Sequence, residues 1–393
     1  MKSHINRLTF GGLMVTLGIV YGDIGTSPLY VLRAIVSTSG EINQEIIYGA
    51  LSCIFWTLTL QTTLKYVFVT LRADNKGEGG IFSLYALIRK KVKWVFIFAI
   101  LGGSTLLADG IITPAITVVS AVEGLRLIRP DIVILPIVIV IICVLFMIQR
   151  FGTKSIGGSF GPVMLVWFGM LGVLGTIQIL QYPGIIAALN PVYAFQLLAH
   201  HPNGFLLLGA VFLCTTGAEA LYSDLGHCGL QNIRVTWILV KTTLVLNYLG
   251  QGAWLMQNSN VNTETINPFF SIMPDWFLVI GIFISTMAAI IASQALITGS
   301  FTIVSEAILL NFWPKVKIIY PTTIKGQMFI PSVNRFLWIS CLMVIIFFRE
   351  SSAMEAAYGL SITITMLMTT VLLGFYFYIN KISSYIIGFF LLV

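Results

Sequence analysis

Apolar runs of about 18 to 25 residues recur along the whole chain, and each is the length an α-helix needs to cross roughly 30 Å of hydrocarbon. Such runs point to an all-α polytopic membrane protein, because in lipid each backbone polar group must find its partner within the protein. Composition agrees: 57% of the 393 residues are hydrophobic and 9% are charged, far from the balance of a soluble domain. The first run is too long, and too polar at its centre, to be a cleaved signal peptide. Five cysteines stand singly with no C-x-x-C pair, so neither a disulfide framework nor a transition-metal site is expected. The net charge of +7 reads as topology rather than as nucleic-acid binding.

The runs place helices at roughly 11–36, 46–70, 94–121, 131–148, 161–180, 204–225, 235–257, 275–310, 336–348, 353–379 and 382 onward, about eleven in all. A bent or interfacial portion is expected in the long eighth. Loop charge orients them. With the N-terminus in the cytoplasm, sixteen lysines and arginines fall in inner loops. They run from Lys2 and Arg7 through Arg72, Lys76 and the Arg89–Lys93 cluster to Arg150, Lys154, Arg234, Lys315, Lys317, Lys325, Arg335 and Lys381. Only Arg126, Arg129 and Arg349 fall in outer loops, which is the positive-inside asymmetry. The stretch from Ile382 to Val393 is only 12 residues, short for a span. It reads as a partial helix or the end of a fragment, and no soluble domain is expected.

Inside the first run, the stretch from Gly18 to Tyr30 sets Gly22, Gly25 and Pro28, poor helix-interior residues, around the carboxylate of Asp23. Unwound backbone at membrane depth is tolerated only where it lines a cavity or is buried in protein, and freed carbonyls there can coordinate a cation. The plain alternative is a proline kink that serves packing, and Asp23 at the same place weighs against it.

The stretch also has an echo. Gly25-Thr-Ser-Pro-Leu-Tyr30 is similar to Gly217-Ala-Glu-Ala-Leu-Tyr222, 192 residues on. Ile112-Thr113, Thr117 and Val119-Ser120 are similar to Ile297-Thr298, Thr302 and Val304-Ser305, 185 residues on. These matches pair the first helix with the sixth and the third with the eighth. Partners five helices apart, an odd number, lie oppositely in the bilayer. The expectation is an inverted five-plus-five repeat, about 8–181 and 203–379, with broken helices 1 and 6 in a single transmembrane domain over 1–393.

Carboxylates within a bilayer are costly and default to function. Asp23, Asp109 and Glu219 all fall well inside their runs, on helices 1, 3 and 6. Asp109 and Thr113 are spaced i, i+4 and share a helix face. Thr216 and Glu219 lie beside a break expected around Thr215–Gly217, and Tyr30 lies past Pro28, where its phenol can reach back. In a five-plus-five arrangement helices 1, 3, 6 and 8 line the centre, so the three acids converge among hydroxyls. Hard oxygen ligands at that density suit a hard cation. With no matching buried base the acids are not all ionised, and one is a natural proton carrier. Some of them, Asp109 most readily, could instead be hydrogen-bonded structural acids.

Other residues carry weaker signals. Tyr358 and Ser361 on the tenth helix can close the site. Asp224 and His227 read as gate or interface residues. Glu123 stands at the outer end of the third helix, where a surface ion pair with Arg126 and Arg129 is as good a reading as a transport role. Lys65 and Lys241 read as snorkelling to the inner interface, and Glu306 as solvated. His200 and His201 lie in an outer loop with no ligand partners at metal spacing. The stretch from Arg72 to Ile81 lacks the G-x-x-x-x-G-K-[ST] pattern, so no nucleotide site is inferred. It reads as a cytoplasmic turn that moves during gating.

Four motifs carry a resemblance. The run Gly18-Ile-Val-Tyr-Gly-Asp-Ile-Gly-Thr-Ser-Pro-Leu-Tyr30 resembles the signature of the Kup/HAK/KT potassium uptake permeases. So do Asp74-Asn-Lys-Gly-Glu-Gly-Gly-Ile81, Asp109-Gly-Ile-Ile-Thr-Pro-Ala-Ile116 with Ser120-Ala-Val-Glu-Gly124, and Thr216-Gly-Ala-Glu-Ala-Leu-Tyr222 with Asp224-Leu-Gly-His227. The resemblance covers essentially the whole chain. It implies proton-coupled potassium uptake on the fold of amino-acid/polyamine/organocation transporters, in a bacterial cytoplasmic membrane. It implies cation-site roles for Asp23, Tyr30, Asp109, Thr113, Thr216 and Glu219, for the helix-10 Tyr358, and an acid at Glu123 as a third proton-coupling candidate beside Asp23 and Glu219. Family members typically have twelve helices and a cytoplasmic C-terminal domain, whereas this chain stops inside its eleventh helix. Glu355 stands just before the helix-10 motif, where a small neutral residue is expected.

The sequence therefore reads as a secondary carrier rather than an enzyme. It needs no cofactor; potassium and protons are the transported species, the lipid bilayer is the surrounding partner, and homodimerisation is left open. A channel is disfavoured by the missing T-V-G-Y-G filter. An amino-acid or polyamine carrier of the same fold, and an inactive truncated permease, stand as alternatives.

Overall fold

The computed structural model describes residues 8–151, 154–202, 204–263, 266–320, 328–382 and 388. Lys2, Arg7, Lys325 and, apart from Ile382 and Gly388, the partial helix at 382–393 lie outside the described residues. Among the described residues no extended strand forms, only the isolated bridges Asn75–Glu78 and Ile319–Phe329.

The Thr9 hydroxyl accepts from the Gly12 amide and caps α1, Phe10–Ile19. Val20 and Tyr21 leave the helix, and the chain resumes at an angle of 65° as α2, Gly22–Ser39. Pro28 is therefore not where the path breaks. It sits in a tightened turn over Ser27–Leu29 within α2. Asn43 caps α3, Gln44–Arg72, in which hydrogen bonds widen to a π-helical pattern over Leu58–Val69. The chain continues through α4 (Ile81–Ile88), α5 (Phe96–Glu123), α6 (Ile134–Ile148), α7 (Lys154–Gln181) and α8 (Pro191–His200). It ends its described part with α9 (Gly204–Phe212), α10 (Ala218–Ser223), α11 (Leu230–Gln257), α12 (Asp275–Leu309), α13 (Pro331–Phe348) and α14 (Ser351–Ile379).

By length and apolarity 7 described helices can cross a bilayer, with α9 and α10 taken as one span, or 8 if α1 and α2 form one bent span. At 15 residues α6 is short of that measure. The 28 residues of α11 are long enough but carry Asn232, Arg234, Lys241, Asn247 and Gln251. Two helices lie where loops were expected. The 8 residues of α4 are too few to register as a membrane run, and α8 begins with an Asn190 cap and Pro191. The eighth run forms one helix, α12, that continues unbroken for 35 residues.

In the centre, α5 packs against both α12 and α14, α7 against α1 and α11, and α12 against α2. Helices approach closely where small residues meet: a Cβ on Gly250 of α11 would lie 2.5 Å from the Gly175 Cα of α7. The interrupted chains at Val20–Tyr21 and Leu213–Gly217 are buried among these helices.

Candidate functional site

The first break is tied down by donors from neighbouring helices. Trp167 Nε1 donates to the Gly25 carbonyl at 2.9 Å and Gln251 Nε2 to the Pro28 carbonyl at 3.1 Å. The Thr26 and Ser27 hydroxyls donate to the Asp23 and Ile24 carbonyls. Four carbonyls beside the first break, those of Asp23, Ile24, Gly25 and Pro28, thus each accept a side-chain hydrogen bond.

The second break is sharper. Leu213–Thr215 form a tight turn, Thr216 is extended at φ −49°, ψ 140°, and Gly217 takes φ +80°, a conformation glycine adopts without steric cost. The break at Thr215–Gly217 lies where the sequence placed it. The two breaks touch: a Cβ on Gly217 would fall 2.8 Å from the Ile24 amide nitrogen and 3.1 Å from Asp23 Oδ2. The echo between the halves is out of register with this geometry, however. Helix resumes at Gly22 and at Ala218, four residues further on than the letter match places it.

Three elements contribute to one line of oxygens. The Thr113 hydroxyl donates to Asp109 Oδ1 at 2.7 Å, Thr113 Oγ1 lies 2.8 Å from the Tyr358 hydroxyl, and that hydroxyl donates to Asp23 Oδ1 at 3.0 Å. Tyr30 completes the cluster, its hydroxyl 3.4 Å from Thr216 Oγ1 and its ring edge-on to Tyr358 at 6.1 Å. Asp23 is 2% exposed, and its Oδ2 has no hydrogen-bond partner. Glu219 shares a narrow pocket with Asp109, Thr215, Gly217 and Thr365. The structure therefore brings together Asp23, Tyr30, Asp109, Thr113, Thr216, Glu219 and Tyr358.

Two neighbours of Glu219 were not legible. Tyr66 donates its hydroxyl to Glu219 Oε1. Lys65 is buried rather than snorkelling, with Nζ 3.0 Å from Gln61 Oε1 and its charge acting on Glu219. Lys65 and Tyr66 are both buried, within the π-helical stretch of α3. The expectation of no buried base is corrected accordingly. By contrast Lys241 is half-buried, donates to Thr59 Oγ1 at 3.0 Å and lies over the Phe55 ring.

At one end of the site a cleft between α1, α5, α10 and α12 runs from Asp23 past Leu106 and Ser300 to Ser223 and Asp224. Burial pushes the Asp224 carboxyl up to about 6, while nearby His227 pulls the other way. The Arg72–Ile81 turn docks on this end: Tyr222 donates to the Ala73 carbonyl at 2.6 Å, and Gly79 and Gly80 abut Tyr222 and Ser223. Glu306 is half-buried and senses the charge of Glu78, so it is less solvated than expected.

At the other end Glu123 is 7% exposed and does not pair with Arg126 or Arg129. It binds Arg33 at 2.5 Å and accepts from the amide and hydroxyl of Ser351 at 3.0 and 2.6 Å. Arg126 pairs instead with Glu350. Ser361 donates to the Thr105 carbonyl at 3.1 Å. His200 lies on α8 with Nδ1 near the Gln196 carbonyl.

A family described as "K+ potassium transporter integral membrane domain" matches residues 10–393. The chain is 59% identical over 389 residues to a protein of Flavobacterium psychrophilum described as "Probable potassium transport system protein Kup", covering 98% of this chain and 59% of that protein. It is 59% identical to a protein of the same description from Cytophaga hutchinsonii, over 98% of this chain and 59% of the relative. An Enterococcus faecalis protein of that description is 53% identical over 98% of this chain and 60% of its own length. The chain thus spans about three fifths of the length of the curated relatives it matches.

Proposed function

The chain belongs to the K+ potassium transporter family of multi-pass membrane proteins, and on that premise we propose that it carries potassium inward by alternating access in symport with protons. The observation that carries the proposal is the line Asp109–Thr113–Tyr358–Asp23. Its four oxygens are separated by three hydrogen-bonding gaps of 2.7, 2.8 and 3.0 Å, yet only two hydroxyl hydrogens stand between the carboxylates. Filling every gap takes one more proton, on an aspartate. A cation brought against the free Asp23 Oδ2 meets the same excess of negative charge by other means. Proton and potassium are therefore exchangeable, partial answers to one electrostatic demand.

In this reading Asp23, Tyr30, Asp109, Thr113, Thr216, Glu219 and Tyr358 hold the ion through hard oxygens. Asp23 and Glu219 exchange protons, and Glu123 acts at the outer closure. The narrowness of the pocket favours a bare cation over a diamine. Breaks at Val20–Tyr21 and Leu213–Gly217, one in each half, support an inverted five-plus-five repeat about this site. Positive residues in the inner loops support a cytoplasmic N-terminus in a bacterial inner membrane. The cleft reaching Asp224 is then the inward route, and the Arg33–Glu123 pair is the outer seal.

The test is rubidium uptake by potassium-uptake-deficient cells expressing the chain, with membrane insertion verified. The parent restores uptake that rises as the external medium is acidified, and Asp23→Asn and Glu219→Gln abolish it. Undiminished uptake by both variants would overturn the site, and failure of the inserted parent would overturn transport by this chain.

A further inference from the structure

On α14, between the outer seal and the oxygen line, stands an acid that the transport reading leaves without a role. Glu355 lies four residues after Ser351 and three before Tyr358, so the three share a helix face. It is 8% exposed, and its Oε1 has no hydrogen-bond partner. The charged groups acting on it are Arg33 of α2 and Glu123 of α5. The neighbouring α9, which also packs on α14, brings no titratable side chain.

Arg33 is already engaged. Its Nη1 binds Glu123 Oε2 at 2.5 Å and the Ser351 hydroxyl at 3.0 Å. Glu123 also takes up the amide at the start of α14. One guanidinium thus faces two carboxylates where water is scarce. Glu123 has the guanidinium, a hydroxyl and an amide, whereas no such set of donors meets Glu355. An ionised carboxylate without compensating partners is strongly disfavoured in such a place, and a neutral carboxylic acid is not.

We propose that Glu355 must be protonated before the Arg33–Glu123–Ser351 seal can close, so that outer closure takes up one proton from the external solution. With the seal open, water reaches the carboxylate and it is ionised. A proton from that water attaches to a carboxylate oxygen, no other bond is made or broken, and the second negative charge beside Arg33 disappears. Glu123 then holds Arg33 alone and draws α2, α5 and α14 together. Acid outside favours closure, which gives the outer gate a proton requirement separate from the protons exchanged at Asp23 and Glu219. This rests on the carrier reading for which side is outer, and its test does not depend on transport.

Val119 is 1% exposed and lies one turn inward from Glu123 on α5, so a cysteine there reacts with an external impermeant maleimide only when the seal opens. Its rate is taken relative to that of Ser37→Cys, an exposed position on α2 at the same end, which removes the pH dependence of the thiol itself. Relative labelling of Val119→Cys should fall by about tenfold as external pH drops through the carboxylate range, and adding Glu355→Gln should leave it slow and flat within about twofold. Glu355→Ala should flatten it likewise, which guards against a peculiarity of the amide. An unchanged pH dependence in the Gln and Ala variants, or relative labelling of Val119→Cys that ignores pH, overturns the proposal. Loss of rubidium uptake with this labelling pattern intact would overturn the carrier reading and leave the gate standing.

Discussion

Tyr358 donates its hydroxyl hydrogen to Asp23 across 3.0 Å, joining α14 to the first turn of α2 beyond the break in the first helix. Removing that oxygen leaves Asp23 without the donor to Oδ1 and cuts the line to Thr113 and Asp109. Hydrogen bonds to charged groups contribute about 1.5–3 kcal/mol. Tyr358→Phe is therefore expected to raise the KM for rubidium uptake by roughly tenfold or more. The edge-on contact with Tyr30 is kept, so the variant should still fold, with a melting temperature below that of the parent because buried hydrogen bonds are lost. An unchanged KM would remove Tyr358 from the site.

Contact between the two breaks depends on the absence of one side chain. Gly217 takes φ +80°, where an L-residue costs about 1–2 kcal/mol. Its Cβ would also press on the Ile24 nitrogen at 2.8 Å and on Asp23 Cβ at 3.0 Å. Gly217→Ala is expected to insert into the membrane yet lose most uptake, because α2 and α10 are forced apart beside Asp23, in the proposed ion site. Measured uptake within about twofold of the parent would mean that the breaks need not touch.

What the sequence disclosed and what it hid follow from range. A carboxylate in an apolar run is conspicuous, so Asp23, Asp109 and Glu219 were legible, and the i, i+4 spacing joined Asp109 to Thr113. The position of the second break could be read from Thr215–Gly217 because glycine marks it locally. Partners far along the chain gave no such mark. Arg33 lies within an apolar run and meets Glu123 only in the folded bundle, so Glu123 was matched with its sequence neighbours Arg126 and Arg129 instead. Lys65 and Tyr66 were hidden for the same reason, since Glu219 lies 153 residues beyond Tyr66. Pro28 was misleading because a proline in the first turns of a tightened helix costs little, and the chain breaks at Val20–Tyr21.

The Arg33–Glu123 pair joins α2, α5 and the start of α14, with both side chains 10% exposed or less. Breaking a buried pair by removing one partner costs about 3–5 kcal/mol, more than the pair contributes against an apolar replacement of both. Glu123→Gln and Arg33→Met should each lower the melting temperature of the purified protein, and the double variant should recover part of the loss. If the losses simply add, the pair is not acting as a unit.

Asp224 closes the far end of the cleft from Asp23, and its carboxyl is raised from 3.8 to about 6 by burial. A raised acid binds its proton more tightly in the folded protein than in the unfolded one. Between those two values the folded state therefore holds more protons, and stability falls as pH rises from 3.8 to about 6. Above that range the loss is complete, and below it the difference vanishes. Asp224→Asn has no such titration. It is expected to melt at a higher temperature than the parent at about pH 7 and to lose that advantage at about pH 4. Melting curves of the two proteins across that interval decide the matter: a constant offset would show that the carboxyl of Asp224 does not titrate there, and a lower melting temperature for the variant at neutral pH would show that it is held by a donor in its ionised form.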